Sequence, residues 1–173
     1  MPARRAGVAA IAAGALIFAG HGGELVFESP EIVFAVLGVS GFAALVVAVW
    51  GLRGLMVTRM GRVGSWIARI GVALLGLFGV QVLVELIRTG DIHENFALFA
   101  LGLLLILVGQ LLFARDLRHA IGRAWVLPLV AVAGLIVALV GGENPVHDIG
   151  LFVFEGAWVA LGLALLRRER ALA

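Results

Sequence analysis

The 173-residue chain has no cysteine and no lysine, and only 14% of its residues are charged. Without cysteine there are no disulfides, thiolate metal sites or cysteine nucleophiles, and redox compartment cannot be read. Without lysine all thirteen basic side chains are arginine, which beside abundant Ala, Gly and Val fits a GC-rich bacterial coding sequence. The chain also lacks a glycine-rich phosphate loop, a Ser-His-Asp arrangement and a His-Glu-x-x-His helix, so neither enzymatic activity nor a cofactor is expected.

What is present is hydrophobic: 62% of residues are apolar and the mean hydropathy is +1.13. So little polar sequence cannot coat so much apolar surface, so the bilayer must solvate most of it. Nearly charge-free runs lie at about 6–20, 32–52, 70–87, 96–114, 124–142 and 149–166. Each is near the ~20 residues that cross a ~30 Å hydrocarbon core as a helix, too long for the strands of a membrane barrel. The expected fold is an all-α integral membrane protein: one domain over 1–173, with six transmembrane helices as three tandem hairpins, about 5–53, 69–118 and 123–168.

Orientation follows from the arginines, which are retained in cytoplasmic loops. Arg4 and Arg5, then Arg53, Arg59, Arg62 and Arg69, then Arg115, Arg118 and Arg123, then Arg167, Arg168 and Arg170 fall on one side, and Arg88 is the exception. Most of the acids fall opposite. Both termini are therefore expected in the cytoplasm, with the protein in a bacterial inner membrane. The first run resembles a signal-peptide core, but losing it would leave five spans and an outside N-terminus, so it is expected to remain as a span. The arginines point to anionic lipid and topology, and no nucleic-acid partner is expected. Possible partners besides the bilayer are a second copy or a membrane subunit.

The hairpins resemble one another. His93-Glu94 and His147-Asp148 each begin a returning helix, followed nine residues later by Gly102 and Gly156, and Ser29-Pro30-Glu31 precedes the returning helix of the first hairpin. An acid in the first turn favours the positive end of the helix dipole. Three tandem hairpins, with returning helices of the form Ala35-Val36-Leu37-Gly38-Val39-Ser40-Gly41, resemble the HdeD-like family of small bacterial membrane proteins over roughly residues 6–168. That resemblance implies a stress-related, acid-resistance protein and carries over no catalytic residue.

Two groups of residues could carry chemistry. On the outer face each hairpin supplies one histidine, His21, His93 and His147, with Glu24, Glu94 and Asp148 nearby. Convergence of the loops would suit proton sensing, since imidazole charges between pH 5 and 8, or an ion site of unknown metal. Within the membrane, Glu155 lies some two turns into the last run, and Gln81 and Glu85 stand one turn apart on the third. Buried ionisable groups are costly and mark either a polar pocket or helix-packing hydrogen bonds. Gln110 is expected to make a packing hydrogen bond, Pro128 to kink the fifth helix, and 52–69 to form a short interfacial amphipathic helix. The leading functional expectation is a non-enzymatic stress or scaffold protein. The alternatives are a small proton, cation or small-molecule transporter or channel, and an accessory subunit of a larger complex.

Overall fold

The computed structural model describes residues 2–26, 31–89, 96–141 and 145–172, and among these there are helices and no strand. Six α-helices follow in order: α1 Pro2–Val26, α2 Glu31–Leu52, α3 Arg59–Thr89, α4 Phe96–Ile121, α5 Leu127–Gly141 and α6 Pro145–Leu172. Five helical stretches are long and apolar enough to cross a membrane. The fourth, Ala97–Gly141, spans 45 residues and contains both α4 and α5. It is not one straight rod. Between the two helices a 3-10 segment, Gly122–Val126, opens at Gly122, whose φ of 55° is open to glycine and strained for other residues.

Outward faces carry exposed Leu77, Ile87 and Val140, the reverse of a water-soluble surface and compatible with lipid contact. Inward faces bury Leu45, Val49, Ile106, Phe113, Trp158, Leu161 and Leu165 almost completely. Each helix packs against the next in sequence, and α1 packs against α6, which closes a ring. Contact is most extensive within α1/α2, α3/α4 and α5/α6, and slight between α4 and α5.

Two local expectations need correction. The segment 52–69 does not form a separate interfacial helix: Arg53–Leu55 is a 3-10 turn, and from Arg59 onward the residues are the first turns of α3. Arginine is a good helix former and nothing between Arg59 and Thr89 breaks the helix, so charge lowers the hydropathy there without ending it. Pro128 is the second residue of α5, where it displaces no helical hydrogen bond, so it starts the helix rather than kinking it. Asp148 lies in the first turn of α6, which begins at Pro145, as expected for an acid at the start of this returning helix.

The start of α3 is held by a contact that hydropathy does not reveal. Thr58 precedes the helix, and its hydroxyl oxygen accepts from the Gly61 backbone N–H at 3.0 Å, as an N-cap does. Asp116 of α4, 4% exposed, accepts the Thr58 N–H at 2.8 Å and the Thr58 hydroxyl at 2.9 Å. This ties α3 to α4 at the arginine-rich end and sets a carboxylate at a helix N-terminus. Asp116→Ala is expected to cost about 2 kcal/mol, read as a lower midpoint in thermal unfolding, whereas Arg115→Ala at the exposed neighbouring position should change little.

Candidate functional site

The site forms where α1 meets α6. A Cβ on Gly7 would stand 2.9 Å from the Gly162 carbonyl oxygen, and one on Gly14 would stand 2.5 Å from that of Glu155. Seven residues further along α1, His21 reaches Asp148, seven before Glu155. The paired positions are thus 7, 14 and 21 on α1 against 162, 155 and 148 on α6, an antiparallel seam with a seven-residue period. That period keeps one stripe of each helix facing its partner at a shallow crossing angle, and small residues let the backbones approach. The first two layers are closed by glycine. The third holds the chemistry.

In that layer the two nitrogens of His21 point to different carboxylates. Nε2 lies 3.3 Å from Asp148 Oδ1, and Nδ1 lies 3.4 Å from Glu155 Oε1. The first is a hydrogen bond. The second is an ion-pair distance without hydrogen-bond alignment, so both Glu155 oxygens and His21 Nδ1 are buried without a hydrogen-bond partner among the described residues. Exposure falls steeply along the row: the side chains of Asp148, His21 and Glu155 are 32%, 14% and 1% exposed. The Phe152 ring packs on the imidazole with centroids 4.8 Å apart, and Phe18 packs on Phe152 at 5.2 Å.

These three groups can share protons. With one proton between His21 and Glu155, the pair is either imidazolium with carboxylate or neutral imidazole with carboxylic acid, so that pair carries no net charge in either form. Removing that proton leaves a carboxylate buried without a cation beside it, a costly state; adding a second leaves an imidazolium whose charge is offset by the Asp148 carboxylate 3.3 Å away. The arrangement does not suit chelation of one metal ion, because the two imidazole nitrogens diverge. Among the described residues no three His, Asp or Glu side chains form a metal-binding group.

The other candidate residues are placed elsewhere. Nδ1 of His147 lies 2.9 Å from the Ala138 carbonyl oxygen and donates to it, so this histidine satisfies one of the open carbonyls in the last turn of α5. His21 and His147 therefore do not converge. His93, Glu94 and the Glu24 side chain lie outside the described residues. Gln81 Nε2 donates to Glu85 Oε1 at 3.1 Å along α3, and both line a surface groove of about 420 Å³ made of α3 residues, without Glu155. The structure thus joins one of the candidate histidines, His21, and one of the candidate acids, Asp148, to Glu155, and leaves Gln81 and Glu85 as a separate pair. Gln110 is fully buried, and among the described residues no hydrogen-bond partner meets either its amide nitrogen or its oxygen.

The sequence does carry a signal for this grouping. Gly7, Gly14 and His21, and Asp148, Glu155 and Gly162, are each spaced by seven; only the antiparallel contact of α1 with α6 gives that spacing meaning. No protein-family model matches the chain, and neither a curated protein nor a solved structure does.

Proposed function

We propose that the chain is a non-enzymatic, six-span protein of the bacterial cytoplasmic membrane with both termini inside, akin to the HdeD-like proteins, and that it responds to external acid. The observation that carries this reading is the graded row Asp148, His21 and Glu155, which runs from a partly exposed carboxylate through imidazole to a fully buried one. Six crossings require α4 and α5 to count separately, and their break at Gly122 supports that. With the arginines inside, the row opens to the outer face. A proton from outside then reaches Asp148 first, and His21 passes it toward Glu155 between α1 and α6. Imidazole changes charge between pH 5 and 8, the interval an acid-responsive element has to cover.

The test is survival of the host after acid challenge. A strain lacking the gene should be rescued by the wild-type chain and not by His21→Gln or Glu155→Gln, with all three present in the membrane at equal level. Rescue by both variants, or no defect in the deleted strain, would sink the proposal. The same graded row would also serve proton transport, so flux in proteoliposomes separates the two. A sensor conducts no more than empty vesicles, whereas a carrier conducts and loses that conductance in Glu155→Gln.

A further inference from the structure

At the opposite end of the molecule the α1/α2 contact builds a second feature. A Cβ on Gly51 would lie 2.7 Å from that of Ala6, so α1 runs close against α2 and brings Arg5 to the end of that helix. Arg5, Arg53 and Arg62, from α1, the following turn and α3, line one open groove of about 850 Å³. Its remaining walls include Val46, Val47, Trp50 and Met56. None of the three arginines pairs with a carboxylate among the described residues.

A fourth arginine lies behind this groove. Arg69 is 4% exposed, its guanidinium carbon sits 4.8 Å from the Trp50 ring centroid and 5.0 Å from that of Trp66, and one NH2 group donates to the Trp50 carbonyl at 3.3 Å. Its Nε and other terminal nitrogen have no hydrogen-bond partner among the described residues. The stacking fixes Trp50, which is 57% exposed. It also leaves a buried positive charge with no counter-ion from the described residues, which is unfavourable unless negative charge stands close by.

We infer that this groove is a binding site for an anionic phospholipid, its phosphate held by Arg5, Arg53 and Arg62 and one acyl chain lying along Val46, Val47 and Met56. Guanidinium groups match phosphate oxygens in paired hydrogen bonds, and an interfacial tryptophan sits at headgroup level. The apolar wall next to the arginines fits a lipid better than a soluble anion, which would leave that wall uncovered.

The purified protein, equilibrated with equal amounts of phosphatidylglycerol and phosphatidylcholine, would be examined for retained lipid by native mass spectrometry. Wild type is expected to keep phosphatidylglycerol selectively. R5Q/R53Q/R62Q should lose about a hundredfold of that affinity, from three headgroup attractions removed together. R115Q/R118Q/R123Q removes equal charge outside the groove and should retain the lipid. Val47→Trp fills the exposed chain-binding wall with every arginine in place and should also release it, so it decides the matter if the groove triple variant does not fold. Equal loss in both triple variants, or retention by Val47→Trp, would overturn the inference. So would displacement of the lipid by inorganic phosphate or glycerophosphoglycerol at the lipid's own concentration, which would point to an anion site without a chain.

Discussion

His21→Leu is expected to destabilise the protein by about 3–5 kcal/mol, the cost of removing one member of a buried ion pair and stranding the other. The side chain of Glu155 is 1% exposed and its oxygens have no hydrogen-bond partner among the described residues, so once the imidazole is gone no cation of the described residues offsets its charge. Leucine fills much of the space that the imidazole takes against Phe152 on α6, so lost packing is a minor part of the effect. The companion variant distinguishes charge from shape. In His21→Leu/Glu155→Leu the stranded carboxylate is also removed, and a dry apolar pair is often as stable as the buried ion pair it replaces. The double variant should therefore recover to within about 1 kcal/mol of wild type, with strong coupling between the two sites in a double-mutant cycle. Equilibrium unfolding in mixed micelles measures all four proteins. A single variant as stable as wild type would mean that His21 and Glu155 do not interact energetically. In that case the row from Asp148 inward could not act as a unit.

Hydropathy located the helices well because the bilayer imposes one strong constraint: every backbone polar group must be satisfied within a segment, so long apolar runs become helices. The runs at 32–52 and 96–114 fall within α2 and α4. Ends are less legible, because they depend on local capping and helix propensity rather than on hydropathy. Arg59, Arg62 and Arg69 make the start of α3 look like a loop, yet Thr58 and Asp116 hold it as helix. His21 illustrates the same problem at the other end. Reading the first run as ending near residue 20 puts His21 in a loop with the other histidines; continuation of α1 to Val26 puts it on a helix face against α6. Glu155 could be recognised alone, from the cost of burying a carboxyl group. Its partner could not, because closure of the ring between the first and last helices is a long-range fact. Nothing in the pattern of loop histidines separated His21, which bridges two acids, from His147, which caps a carbonyl.

The seven-residue seam yields a contrast between two glycines of the α1/α6 pair, one inside the seam and one outside it. Gly14→Leu is expected to cost about 3 kcal/mol, at the upper end for overpacking, and to abolish the acid response. A Cβ at this position would meet the Glu155 carbonyl oxygen at 2.5 Å and a Val159 methyl at 2.7 Å. The first neighbour is backbone and cannot rotate away, so α1 and α6 must separate. Separation at this layer also draws His21 off Asp148 and Glu155, one heptad further along. Gly156→Leu provides the control: Gly156 is adjacent to Glu155, but a Cβ there would have nothing within 4 Å. It faces outward and should tolerate leucine with stability and acid response near wild type. Both substitutions add the same apolar bulk and remove a glycine from a helix, so propensity and hydrophobicity change alike. Only the seam distinguishes them. If the two variants unfold at the same midpoint, close approach of α1 to α6 does not hold the site together, and the geometry that brings His21 to Glu155 loses its physical basis.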